Sequence, residues 1–348
     1  MTRQKPTIDD VASLAGVART TVSRVLNNVP NVRDEVRDRV RRAVVMLDYK
    51  VNVQARNLAG GSSRQIALIQ ASDFDTEPNS FYNAGLELGA LRACAAHGWH
   101  LVTHTVNQNS ASPGEQILAI FADERFEGIV LTPPFSDDVA LVTSLRASGR
   151  PVVCVSASDA VRRIAPSVGI DDAAAGYTMG EYVVGLGHRR FAFIKGLSGH
   201  LSAESRYDGF MRALQTAGIA ADSVRVERGN FTFHSGIEAA NRLLADATRR
   251  PTALVCANDD MAAGALLSIH KLGLEIPRDI SVTGFDDSPV SEIVWPPLTT
   301  IHQPIKTIGQ KCVELVVQAV AGEAAASLPG GTPVAFRLVK RESAAPPA

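Results

Sequence analysis

The stretch Thr7-Ile-Asp-Asp-Val-Ala-Ser-Leu-Ala-Gly-Val-Ala-Arg-Thr-Thr-Val-Ser-Arg-Val-Leu-Asn27 reads as two short helices around a tight turn. Thr7 supplies a capping hydroxyl, and Asp9 and Asp10 place negative charge in the first turn, where it complements the helix dipole. Ile8, Val11, Ala12 and Ala15 repeat at helical spacing and form the inward face. Gly16 breaks the pattern, and Gly16-Val17-Ala18 has the length of a helix-turn-helix turn. A second helix from about Arg19 to Asn27 turns Val22, Val25 and Leu26 inward. Its other face carries Arg19, Thr20, Thr21, Ser23 and Arg24. Arginine bonds guanine O6 and N7 in a fork, and short hydroxyls reach phosphates, so this face suits a DNA major groove. A third helix, about Arg33 to Leu47, sets Val36, Val40, Val44 and Leu47 on one side.

The charge distribution agrees. Residues 1–64 hold twelve Lys/Arg against six Asp/Glu, a net of +6, while the rest of the 348-residue chain carries 23 basic and 30 acidic residues, a net of −7. A basic end on an acidic body points to one segment that meets a polyanion. The four cysteines (Cys94, Cys154, Cys256, Cys312) lie far apart, without C-x-x-C pairs or histidines at ligand spacing. No metal site or disulfide framework is expected, and a reducing cytoplasm is. The N-terminus has no apolar signal core, and no apolar run nears the ~20 residues that span a bilayer.

Residues 52–59 form a helix-capable piece too short to be stable alone, followed by Gly60-Gly61-Ser62-Ser63, a flexible joint. Beyond it, short apolar strands alternate with helical stretches: Gln65–Gln70, Trp99–Val106, Gly128–Thr132, Val152–Val155, Phe191–Lys195, Ala253–Ala257 and Ile280–Phe285. That alternation predicts an α/β domain with parallel sheets, long enough for two similar lobes. Ala324–Gly331 reads as a loose connector before a final strand, and Ser343–Ala348 as a frayed tail. The expected organisation is a headpiece over 1–50, a hinge helix and linker over 51–63, a two-lobed domain over 64–341 and a tail over 342–348.

The first helix pair, with its Asp-Val-Ala-x-x-Ala-Gly-Val and Thr-Val-Ser-Arg-Val-Leu-Asn runs, resembles the headpiece of the lactose-repressor (LacI/GalR) family. Later markers extend the resemblance to about Arg341: Cys256-Ala-Asn-Asp-Asp-Met-Ala262, Ile280-Ser-Val-Thr-Gly-Phe-Asp-Asp287 and Pro296-Pro-Leu-Thr-Thr-Ile301. The resemblance implies a periplasmic-binding-protein fold with a ligand cleft between lobes. Arg19, Thr20 and Arg24 match base-reading positions, and Thr21, Ser23 and Asn27 match backbone-contacting ones. Leu58 matches a minor-groove wedge and Ala55 the residue facing the groove floor; Leu58 as a packing residue of the linker is the alternative. Where the family usually has Ser, this chain has Ala18 and Arg33, so two N-caps are missing.

For the effector site the resemblance implies Arg206 and Asp286 as the main polar contacts, Asn258 as an amide contact and Phe231 as an aromatic platform. Gln303 lies at another cleft position, and Phe81 on the opposite wall. At Ser156 the best-known sugar repressor has an acid, which is absent here. Asp171 and Asp172 offer carboxylates nearby, with helix capping an alternative for Asp172. Capping by Asp286, an interlobe salt bridge for Arg206 and ordinary packing for Asn258, Phe231 and Phe81 stand as the competing roles. The implied protein is a cytoplasmic, sugar-responsive repressor. It acts without cofactor or membrane, as a homodimer or dimer of dimers on a near-palindromic double-stranded operator. A purine or nucleoside corepressor is the runner-up effector. A cytosolic sugar-binding or sugar-processing α/β protein is the reading of another class, but the chain lacks G-x-x-x-x-G-K-[ST], G-x-S-x-G and zinc motifs, so no enzyme is expected.

Overall fold

The computed structural model describes residues 6–26, 32–47, 49, 63–72, 80–123, 125–323 and 328–348. Asn27, Ala55 and Leu58 therefore lie outside the described residues. The chain divides into two compact units, residues 1–63 and 64–348.

In the first unit, α1 (Ile8–Ala15) starts on a capping box. The Thr7 amide donates to Asp10 Oδ2 at 2.7 Å and the Asp10 amide to Thr7 Oγ1 at 3.3 Å. Gly16 ends it at φ 62°, a left-handed conformation that glycine adopts without steric penalty. Helices α2 (Arg19–Leu26) and α3 (Asp34–Met46) follow. Val11, Ala12, Ala15, Val22, Val25, Val40 and Ala43 form the core, with Ile8, Leu26, Val44, Leu47 and Tyr49 packed at its edge. Val36, read as inward, is only half-buried, and Ala43 takes the central place. As expected, Arg33 caps α3 with no side-chain bond, and Ala18 precedes α2 with only its carbonyl engaged, by the amides of Thr21 and Val22.

In chain order, the second unit runs β1 (Gln65–Ser72), α4 (Ser80–His97), β2 (His100–Asn107), α5 (Pro113–Ala122), β3 (Phe126–Leu131), α6 (Val139–Arg146), β4 (Val152–Val155), α7 (Asp159–Arg162) and β5 (Pro166–Gly169). Then come α8 (Asp172–Gly185), β6 (Phe191–Lys195), α9 (Leu201–Thr216), β7 (Val224–Arg228), α10 (Phe233–Leu244), β8 (Ala253–Cys256), α11 (Asp259–Lys271), β9 (Ser281–Thr283), α12 (Val290–Ile293), β10 (Thr300–His302), α13 (Ile305–Val320), β11 (Gly330–Pro333) and β12 (Arg337–Val339). One parallel sheet has the order β11-β5-β4-β3-β1-β2 and the other β7-β6-β8-β9. These are the two lobes. The chain passes between them after β5, between β10 and α13, and between β11 and β12, which pairs antiparallel with β10. Three crossings allow the lobes to change angle while each sheet stays intact.

The C-terminal segment corrects the sequence reading. It is no frayed tail: Ser343 is fully buried, donates to the Val282 carbonyl and accepts from the Thr299 amide at 2.8 Å. Ala345 exchanges bonds with Ser281, and its carbonyl faces His188 Nε2 at 3.0 Å. The connector also closes earlier than read, since Gly330 and Gly331 already pair with β5.

Candidate DNA-reading helix and effector site

On α2, burial of Val22 and Val25 fixes which side faces out. Arg19, Thr20 and Arg24 are exposed, and Thr21 and Ser23 are half-buried along the same flank. Arg19 lies 3.8 Å from Asp9, with both side chains more than 60% exposed, so solvent screens the pair and the guanidinium is not committed to it. The two sides separate as the sequence predicts: an apolar face in the headpiece core, and a row of forked and hydroxyl donors on the outside.

The second site lies where strands of both sheets end, the crevice in which open α/β sheets hold ligands. Arg206, on α9, is buried and donates Nε to Asp172 Oδ1 at 2.8 Å and Nη1 to the Ala257 carbonyl at 2.9 Å. Asp286 Oδ1 is 3.8 Å from Nη1, and the Phe285 ring lies under the guanidinium at 3.7 Å. Arg206 sits this deep because α8 and α9 approach very closely. A Cβ on Gly176 would fall 1.9 Å from the Arg206 carbonyl, and one on Gly209 2.0 Å from that of Ala173. Only glycine fits at either crossing point.

Burial pushes the Asp172 and Asp286 carboxyls up, and the Arg206 charge opposes that shift in both. Burial works against the charge of Arg206 too, but the two acids outweigh it and hold its pKa up. Gln303, 2% exposed, donates Nε2 to Asp286 Oδ1 at 2.6 Å. Its Oε1 finds no partner among the described residues. Four non-glycine residues around this crevice hold positive φ: Ser156 (48°), Phe231 (68°), Asp286 (108°) and Asp287 (55°). Each such conformation costs on the order of 1–3 kcal/mol, and such residues cluster at ligand sites and switch regions.

The contacts of each residue bear on its competing role. Asp171, not Asp172, caps α8, by accepting from the Ala174 amide at 2.8 Å. Asp286 caps nothing, since Pro289 holds the N-cap of α12. The salt bridges of Arg206 stay within its own lobe. Asn258 does cap α11: Oδ1 accepts from the Met261 amide and Nδ2 donates to the Phe231 carbonyl at 2.9 Å, leaving one amide hydrogen. The Phe231 ring lies against Gly196, where a Cβ would sit 2.0 Å from Cζ, and 5.1 Å from the His200 ring. Ser156 is buried at the end of β4. Phe81 is 37% exposed on α4.

Three residues at this crevice were missed from sequence. Tyr82, next to Phe81, is the aromatic of the opposite lobe that feels the charges of Arg206, Asp286 and Asp172; burial raises its phenol pKa. Asp137 follows β3. Its Oδ1 accepts from the Ser158 amide at 2.7 Å and its Oδ2 has no partner among the described residues, while the Asp172 charge reaches it. His200 precedes α9. Burial, then the Arg206 charge, pushes its pKa down to about 4, and Nε2 has no partner among the described residues. No local motif marks any of the three; only the topology brings them together.

A helix-turn-helix unit followed by a two-lobed domain with polar groups at its crevice has the layout of a ligand-responsive DNA-binding regulator. The comparisons name the family. Residues 7–52 match the model for bacterial regulatory proteins of the lacI family, and residues 181–344 match the periplasmic binding protein-like domain. The chain is 33% identical over 322 residues to the HTH-type transcriptional regulator CelR of Thermobifida fusca, covering 92% of this chain and 94% of that one. It is 32% identical to the HTH-type transcriptional repressor PurR of Pectobacterium carotovorum, over 91% of each. Among solved structures, the lac repressor dimer bound to operator and the anti-inducer ONPF aligns at TM-score 0.83 and 28% identity, covering 98% of this chain and 100% of that one. The CelR–cellobiose complex aligns at 0.72 and 30%, covering 97% and 99%. The chain belongs to the lacI family of bacterial DNA-binding transcriptional regulators.

Proposed function

We propose that this regulator is a cytoplasmic repressor that binds a near-palindromic operator as a homodimer and releases it when a sugar enters the interlobe crevice. Arg19, Thr20 and Arg24 read base edges. Thr21, Ser23 and Asn27 fix the register on phosphates, and Leu58, with Ala55 at the groove floor, wedges the minor groove. The observation that carries the DNA-reading role is the exposed donor row on α2, held in register by its buried opposite face. Ile293 (77% exposed) and Trp295 (74%) are exposed apolar side chains of the second unit that a second copy would cover.

A sugar is favoured because the crevice offers what hydroxyls need. Arg206, Asp172, Asp286 and Gln303 present planar polar groups, and the rings of Phe231 and Tyr82 supply apolar faces. The CelR–cellobiose complex supports the same effector class. For regulation the sugar must prefer one lobe angle over the other, because an indifferent ligand shifts nothing however tightly it binds. Thermal-shift screening against sugars and nucleosides tests this, since a true ligand at 100 Kd stabilises by about 2.7 kcal/mol. A sugar that raises Tm and also weakens duplex DNA binding is the expected result. Stabilisation by nucleosides alone would contradict it.

A further inference from the structure

We propose that the interlobe site takes an uncharged sugar and rejects the anionic form, uronate or phosphate, of that same sugar. This rests on the sugar reading above and adds its charge class. Arg206 is the cation of the inner site, and its charge is already taken. Asp172 and Asp286 both lie within 4.0 Å of it, all three side chains are less than 10% exposed, and its flat face is covered by Phe285. Around it acidic side chains outnumber the cations. Asp260, in the first turn of α11, adds its charge to the field at Asp286, and the Asp172 charge reaches Asp137, which follows β3 in the other lobe. Arg162 acts on both Asp172 and Asp137, but it is paired with Asp159 at 3.3 Å and its side chain is 39% exposed. Two further cations at strand ends, Lys195 and Arg228, share Glu204 between them; Lys195 also lies over the Tyr207 ring, and Arg228 is half exposed to solvent.

The second observation is independent of charge. Gln303, 98% buried, has its amide head fixed on Asp286, and its Oε1 lacks a partner among the described residues; so does Asp137 Oδ2. Both are acceptors. A buried acceptor left empty is unfavourable, so the complement must bring donors. Sugar hydroxyls donate. A carboxylate or phosphate brings only acceptors at its charged end and meets an excess of like charge, which is how binding sites reject a wrong partner.

The test uses the full-length protein with matched series: glucose, galactose and cellobiose, beside glucuronate, galacturonate and glucose 6-phosphate, by thermal shift and then calorimetry. The expected result is stabilisation by a neutral member, with its acidic counterpart binding at least about a hundredfold more weakly. Asp137→Asn, which removes one acidic group and keeps the shape, should narrow that gap about tenfold. A uronate or sugar phosphate that binds as tightly as its neutral parent, or a gap unmoved by Asp137→Asn, overturns the charge argument and leaves the sugar reading standing. Response to nucleosides only, or to none of these sugars, overturns the sugar reading and this inference with it.

Discussion

Truncating Arg206 to Ala would leave Asp172 and Asp286 facing each other out of water with no cation between them. Breaking a buried pair in this way costs about 3–5 kcal/mol, so Arg206→Ala should melt far below the parent in calorimetry. Arg206→Lys keeps the charge but loses the fork, and should retain most of the stability while losing the response of DNA binding to effector. His200 gives a prediction with a sign. Its ordinary pKa near 6.5 falls to about 4 in the folded protein, so above pH 6.5 neither state binds the proton and the contribution to stability is intact. Between pH 6.5 and 4 the unfolded chain takes up a proton that the folded one refuses, and stability is lost. His200→Gln should therefore lose less stability than the parent between pH 7 and 4.5, by on the order of 2 kcal/mol, seen as a smaller fall in Tm. Parallel Tm curves for the two proteins would contradict it. Asn258 and Asp286 were named from the sequence because each sits in a run that carries the family resemblance, and Arg206, Phe231 and Gln303 were named by their position within that resemblance. Tyr82, Asp137 and His200 were not, since their meaning comes from which loops the two sheets bring face to face.

Among the elements, α2 depends on a cap it lacks. Ala18→Ser supplies a side-chain acceptor for the free amides of the first turn. It should stabilise a headpiece of residues 1–50 by about 1 kcal/mol, or several degrees in Tm. An unchanged or lower Tm would count against the placement of α2. The α8–α9 crossing makes the opposite prediction. Gly209→Ala forces the helices apart at a carbonyl 2.0 Å from the new methyl. It should destabilise by about 1–3 kcal/mol and displace Arg206 from Asp172, seen as loss of effector-induced stabilisation. Most strands were legible from their apolar runs, such as Val152–Val155. The missed ones explain themselves: β5 is four residues with Pro and Gly at its ends, β10 has three, β11 (Gly-Gly-Thr-Pro) is half glycine, and β7, Val-Arg-Val-Glu-Arg, sits at a sheet edge where the strand is only partly buried.

For the molecule as a whole, the basic N-terminal segment and the acidic remainder separate two tasks. A variant lacking residues 1–60 should lose DNA binding and keep effector binding, measured by anisotropy and calorimetry on the same preparation. The C-terminal strap shows why tail composition misleads. Ser-Ala-Ala reads as frayed, yet small side chains are what fit against Ser281 and Thr299, and their backbone bonds make the segment part of the second lobe. The most direct measurement of the central claim is fluorescence anisotropy at low salt on duplexes selected from a random pool. The parent should enrich a near-palindromic site, and Arg19→Ala and Arg24→Ala should each lose about 1–3 kcal/mol of discrimination at one base position per half-site. Failure of the full-length protein to bind any duplex, or variants that bind and discriminate like the parent, would contradict the account.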